Sequence, residues 1–518
     1  MKELIHLTFP DIAVIVIYVM VLLIIAWWAS FKQKNENDNL FLANKSLGWF
    51  AIGLTMWGTN VGPSMLIANA SSGYESGVVA GNFSWYAFPF ILLLAFVFAP
   101  RYLGAQVTTL PEYMGKRFGE STRKYIAWYT IITIVISWLG LTLFSGGVFM
   151  AQILDLPLWL CIVILVFVSA AFAMAGGLKA IAFTNVFQML LLIAVSVLLV
   201  VMATIKAGGI SHIIASTPPD YWKMFQPLDN PEFPWLAIVL GYPIMGIWFW
   251  CTDQSMVQSV LGAKNLKNGQ LGANFVAWLK LIDIPLFIVP GILAFVLLPH
   301  LSNSTDAYLK LVETVFPTGL VGLVIVVMMA ALISTVGSAL NSLSTVFTMD
   351  IFIKYYRPEA TNKEIKSIGR VVVLIGAFIS VFLAVGITLI SGLSFFNIFQ
   401  SVLGFIAPPM SVAFLYAVLW KKTSRRAINF TLSAGTVFSI GTGILYYNNL
   451  IFSGLHFLYV SFIIFVVLAA FVFLFSFADR KTASVSTLDY QPIKIEKKVK
   501  LAWLLLILIM VGLYIFFN

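Results

Sequence analysis

The sequence predicts an all-α integral membrane protein with about 14 transmembrane helices. Two observations carry that expectation, the composition and the regular return of long apolar segments. Of the 518 residues, 60% are hydrophobic and 10% are charged. A soluble domain carries about a quarter charged residues, so this chain has too few to solvate a surface. Stretches such as Ile12 to Ala29, Ile181 to Lys206 and Phe457 to Phe477 approach the roughly 20 residues a helix needs to cross a bilayer. No polar interval is long enough to form a soluble domain, so residues 1–518 read as a single transmembrane domain.

Apolar runs set against Gly, Pro and charged breaks give fourteen segments. Their approximate limits are 9–30, 47–71, 82–100, 125–151, 157–175, 181–206, 234–260, 271–299, 316–350, 368–390, 394–420, 427–447, 452–478 and 500–517. They are called segments 1 to 14 below. Segment 1 has the apolarity of a signal peptide. Its length, the polar Lys/Asn-rich stretch after it and its place in a regular series favour an uncleaved span.

The formal net charge of +10 has a topological explanation. With the N-terminus outside, 26 of the 31 Lys and Arg residues fall in loops on the cytoplasmic side. The outer side keeps Lys2, Lys206, Lys223 and Lys310, and Lys280 lies within segment 8. Cytoplasmic loops concentrate Lys and Arg, so both termini are expected outside the cytoplasm of a cell membrane. No nucleic-acid patch is needed to explain the basic excess. Cys161 and Cys251 both sit in apolar segments and suggest neither a disulfide framework nor a metal cluster. His6, His212, His300 and His456 lie near segment ends without ligand spacing.

Two segments contain residues that are hard to run as continuous helix. Segment 2 has Gly58-Thr59-Asn60-Val61-Gly62-Pro63 and segment 7 has Gly241-Tyr242-Pro243-Ile244-Met245-Gly246. Freed backbone groups in hydrocarbon must find other partners. The two breaks are five segments apart, the spacing of an inverted five-plus-five repeat with a broken first helix in each half; unrelated kinks are the plainer reading. Unwound backbone exposes carbonyl oxygens that suit a hard cation. Segment 9 offers further oxygens, because Ala331, Ser334 and Thr335 at i, i+3 and i+4 share one helix face. Small residues there also let a neighbouring helix approach closely. Hydroxyls in spans also commonly bond back to the preceding turn.

Several separated motifs resemble the sodium/solute symporter family, and most closely its sodium/sugar branch. They are Gly176-Gly177-Leu178-Lys179-Ala180 continuing to Thr184-Asn185-Val186-Phe187-Gln188, and Trp248-Phe249-Trp250-Cys251-Thr252-Asp253-Gln254. Ala339-Leu340-Asn341-Ser342 with Phe347-Thr348-Met349-Asp350, and Leu419-Trp420-Lys421-Lys422-Thr423, complete the set. The likeness extends over nearly the whole length. It implies a LeuT-like inverted repeat, with a leading helix at about 9–30, core repeats at about 47–206 and 234–420, and trailing helices at about 427–517.

The resemblance also implies a sodium site. Its ligands would be the backbone carbonyls of Gly58, Val61 and Ala331 and the hydroxyls of Ser334 and Thr335. Some members have a second site that uses an Asp where this chain has Asn185, so one Na+ is expected. Asn60, Trp250, Lys280 and Gln400 stand at positions similar to substrate contacts. Four positions depart from the galactose symporter of the family: Met65 replaces a Gln, Ser84 a Glu, Gly246 an Asn and Phe249 a gating Tyr. Losing polar partners for hydroxyls changes which ligand is satisfied.

Lys280 is an ionisable group within a segment, which points to function with a partner on the same or a neighbouring helix. Asp283, at i+3, and Asp253, in segment 7, are the candidates, and an ion pair that only fixes packing is the bland alternative. Of the aromatic residues Phe83, Trp85, Phe249 and Trp250, the last two lie beside the expected break and suit stacking on a sugar face.

The reading is a sodium-coupled symporter that imports a small polar solute, a sugar or polyol, by alternating access. The rival within transport is an organic-acid, sugar-acid or amino-acid symporter with Lys280 facing the carboxylate, and a transporter-like sensor or channel is a further alternative. No nucleophile elbow, phosphate loop or paired catalytic carboxylates suggest an enzyme. The expected partners are the small-molecule substrate and the lipid bilayer, with no nucleic acid and no obligate protein partner.

Overall fold

The computed structural model describes residues 8–31, 41–154, 156–317, 319–387, 395–479 and 497–518. Helices occupy each of the fourteen predicted ranges, and no strand occurs among the described residues. Nine described helices are long and apolar enough to cross a membrane, or ten when Leu266–Ile282 and Ile284–Leu297, bent by 42° at Asp283, count as one. Three shorter apolar helices, Phe9–Leu22, Leu158–Met174 and Leu403–Leu419, add to them. Helices dominate because each satisfies its own backbone hydrogen bonds, which a hydrocarbon solvent demands.

Segments 5 and 6 form one path, Leu158–Lys206, bent at Gly177 with φ 52° and ψ −146°. That backbone conformation is open to glycine and costly for a residue with a Cβ. The path Leu158–Lys206 packs against segments 1, 2 and 9.

Segment 2 breaks where the sequence indicates, between the helices Trp49–Asn60 and Pro63–Ser76. Segment 7 corrects the expectation. The helix Trp235–Ile247 runs straight through Gly241, Pro243 and Gly246, continues as a π-helical turn at Trp248–Thr252, and breaks at Asp253. Proline removes the N–H that would bond the carbonyl four residues earlier. Here that carbonyl, of Val239, accepts from Tyr86 Oη at 3.4 Å. The two glycines serve packing. A Cβ on Gly241 would lie 2.4 Å from Leu458 O, and one on Gly246 would lie 2.4 Å from the Phe90 ring.

The break at Asp253 is held by its own side chain. Asp253 Oδ1 accepts from the backbone N–H groups of Ser255 at 2.8 Å and Met256 at 3.1 Å, capping the helix Gln254–Leu261. Both broken segments thus remain five apart in order, with the second interruption nearer the C-terminal end of its segment.

Candidate functional site

The break in segment 2 leaves backbone oxygens without helical partners. Val61 (φ −86°, ψ 92°) and Gly62 (φ −102°, ψ 168°) are extended, and the last bond of the first helix runs from Val61 N–H to Trp57 O at 2.9 Å. Gly62 O then accepts from Met65 and Leu66 N–H at 3.0 and 3.2 Å, which starts the second helix. The final carbonyls of the first helix are left for other donors or a cation.

Segment 9, the helix Leu320–Val346, lies against that helix end. Thr335 Oγ1 is 3.4 Å from Gly58 O, 3.2 Å from Thr59 O and 3.0 Å from Ala331 O. One hydroxyl carries one proton, so it cannot donate to all three carbonyls. Ser334 Oγ is buried without a hydrogen-bond partner, and a Cβ on Gly58 would lie 3.1 Å from it. Val61, Ala331, Ser334 and Thr335 are all buried. A buried cluster with more lone pairs than protons is the arrangement a hard cation neutralises. The structure therefore brings Gly58, Ala331, Ser334 and Thr335 together, with Val61 at the same helix end.

A cavity of about 160 Å³ adjoins this cluster, and Asn60 and Thr335 both line it. Of the other expected substrate residues, Met65, Ser84, Phe249, Trp250 and Lys280 line it as well. The side chain of Gln400 lies outside the described residues. Trp85 does not line the cavity. It packs against Tyr514 and Phe517, with ring centroids 6.0 and 5.8 Å apart.

Lys280 pairs with Asp283, Nζ to Oδ2 at 2.7 Å, and both side chains are buried. Trp57 Nε1 donates to the other Asp283 oxygen at 2.9 Å. Lys280 Nζ also donates to Asn60 Oδ1 and lies 5.1 Å from the Trp250 ring centroid. Asp253 has a different role, since its Oδ2 accepts from Trp138 Nε1 at 3.0 Å while Oδ1 caps a helix.

The aromatic wall is wider than the sequence suggests. Trp138 and Trp248 line the cavity beside Phe249 and Trp250. Phe249 lies 5.3 Å from Trp138 and 5.1 Å from Trp250, centroid to centroid. Consecutive α-helical residues point about 100° apart. The π-helical turn Trp248–Thr252 changes that geometry, and all of Trp248, Phe249 and Trp250 reach the cavity. Asn69, Trp138, Thr142 and Tyr242 also line the cavity, and no sequence motif marks them as ligands. Helical spacing could have found Asn69 four residues after Met65, and Thr142 four after Trp138.

Residues 40–429 match the model of the sodium:solute symporter family. The chain belongs to that family. It is similar to sodium/glucose cotransporter 4 of Danio rerio, with 31% identity covering 82% of this chain and 70% of that one. It is equally similar to sodium/myo-inositol cotransporter 2 of Homo sapiens, with 31% identity over 83% of this chain and 69% of that one. A sodium-coupled sialic acid symporter solved in a substrate-bound outward-open state shares the fold. Its TM-score is 0.79 at 20% identity, covering 91% of this chain and 98% of that one. The protein is thus a multi-pass membrane symporter that uses sodium, and its matched region contains both breaks, the oxygen cluster and Lys280.

In this symporter Asn185 is buried, and its Nδ2 has no hydrogen-bond partner. It stands one helical turn before Met189, whose Cγ would meet a Cβ on Gly58 at 2.9 Å. The amide therefore occupies the face of segment 6 that looks toward segment 2, without supplying a charge there.

Proposed function

We propose that this symporter imports a neutral sugar or polyol together with one sodium ion by alternating access. The observation that carries the reading is the shared wall. Thr335 belongs to the oxygen cluster and also lines the cavity, so an ion between segments 2 and 9 and a solute in the cavity sense the same helix positions. Each then favours the conformation that binds the other, and the coupling is reciprocal. The ion ligands in this proposal are the carbonyls of Gly58, Val61 and Ala331 and the hydroxyls of Ser334 and Thr335.

The cavity chemistry suits polyhydroxylated solutes. Asn60, Asn69, Ser84 and Lys280 offer hydrogen-bonding groups, while Trp138, Phe249 and Trp250 offer flat apolar surface for C–H faces. The glucose and myo-inositol cotransporters among its relatives support the same class. A single ion is supported by the uncharged Asn185 and by the absence of acidic groups from the oxygen cluster. The chain acts as one transporter domain, with a leading helix, two core repeats and trailing helices, and with both termini outside the cytoplasm.

Proteoliposomes with an inward sodium gradient provide the test. Glucose, galactose and myo-inositol are offered beside an amino acid and a hexuronic acid. The expected result is accumulation of at least one neutral polyol above its external concentration, with a sodium Hill coefficient of about 1. Equilibration without accumulation would point to a channel, and accumulation of the acids alone to the rival substrate class.

A further inference from the structure

The only charged side chain that lines the central cavity, among the described residues, is Lys280. Its ammonium is not available as a free positive charge. Asp283 lies behind it at 2.7 Å, and neither residue is more than 1% exposed at its side chain. The carboxylate is held in place from the far side, because Trp57 Nε1 donates to its second oxygen at 2.9 Å. Asp283 also sits at the 42° bend of segment 8, so the pair occupies a fixed corner of the fold. Asn60 accepts from Lys280, and the Trp250 ring lies within 5.1 Å of the ammonium.

The ammonium thus presents a hydrogen-bond donor to the cavity while its charge is compensated within the wall. A buried cation without a counter-ion is costly, and a pair compensated in place leaves an incoming anion nothing to neutralise. A carboxylate entering this cavity would lose its hydration and meet no net positive charge from that corner. A hydroxyl entering it gains a donor and loses little.

Building on the neutral-substrate reading, we propose that Asp283 is the specificity-determining residue that makes the symporter reject carboxylated solutes by neutralising Lys280 from behind. It does not touch the solute. Asp283→Asn keeps the shape of the wall and an acceptor oxygen, but leaves the Lys280 charge uncompensated. A bound carboxylate then supplies the missing counter-ion, and the site becomes one for a sugar acid.

The experiment compares a hexose, myo-inositol and a hexuronate as sodium-dependent substrates and competitors in proteoliposomes. The wild-type protein is expected to bind the hexuronate at least 100-fold more weakly than its best neutral solute. In Asp283→Asn that ratio is expected to fall at least tenfold, through gained hexuronate affinity rather than lost neutral affinity alone. The double variant Lys280→Gln/Asp283→Asn lacks both charges and is expected not to gain hexuronate binding. Hexuronate gain in the double variant, or no gain in a folded Asp283→Asn, overturns the proposal. If Asp283→Asn does not fold, the wild-type ratio decides, and competition within tenfold overturns it. Absence of any neutral uptake by the wild type overturns the polyol reading and this inference with it. Neutral uptake with equal hexuronate uptake overturns this inference alone.

Discussion

Ser334 and Thr335 show how much chemistry two hydroxyls on one helix turn can carry. In most transmembrane helices such groups bond back to the preceding turn, and Thr335 does reach Ala331 O at 3.0 Å. It also faces two carbonyls of another helix, while Ser334 has no donor or acceptor partner at all. The spacing of these residues was legible in the sequence, but their unmet lone pairs were not. Those depend on a helix some 270 residues earlier that ends at Asn60. The Lys280 partner was half legible. Asp283 and Asp253 are equal candidates in sequence, and only the fold shows that Asp253 is already committed to Trp138 and a helix N-terminus. Asp283→Ala leaves a buried ammonium uncompensated and is expected to destabilise the protein by about 3–5 kcal/mol. Thermal unfolding in detergent checks this, and a melting temperature equal to wild type counts against a tight pair.

At the scale of elements, the two broken segments differ in how a break is written. Segment 2 is stopped by extended backbone at Val61 and Gly62 and restarted by Pro63 at the first helical position, all readable from Gly and Pro. Segment 7 carries an equally suggestive Gly-Pro-Gly pattern that does not break. Its glycines admit Leu458 and Phe90, and Tyr86 serves the carbonyl that Pro243 leaves open. These partners come from segments 13 and 3, so local reading could not reveal them. Gly241→Leu is expected to prevent stable folding, because the clash is with backbone. Pro243→Ala is expected to change stability by no more than about 1 kcal/mol. Comparing the monodispersity and melting of the two variants in detergent separates packing from helix breaking. Asp253→Ala removes a cap worth about 1 kcal/mol and frees Trp138, so it should also weaken substrate affinity, read as a raised KM for uptake.

For the whole molecule, the fold was the most legible property. Fourteen apolar runs, each occupied by helix, follow from the demand that a chain in hydrocarbon satisfies its own backbone. The proposed orientation, with both termini outside the cytoplasm, rests on the bias of Lys and Arg among the loops. A cysteine placed at Asn303 is expected to react with an impermeant maleimide in intact cells, and one at Ala360 only after permeabilisation. Cys161 and Cys251 are buried and should give little background. The opposite labelling pattern would reverse the assigned topology.

The cargo was less legible than the ion, since Met65, Ser84 and Phe249 all line the cavity while differing from the sugar-binding pattern. The oxygen cluster proposed for the ion includes backbone carbonyls, which any residue supplies, whereas the cavity is specified by side chains. The central claim is that the oxygen cluster between segments 2 and 9 holds the coupling sodium. The sodium dependence of solute uptake by Ser334→Ala and Thr335→Ala proteoliposomes tests it most directly. The half-saturating sodium concentration should rise about tenfold or more in each, equivalent to about 1.4 kcal/mol, with the order of preferred solutes retained. An unchanged sodium requirement in both folded variants would contradict the claim.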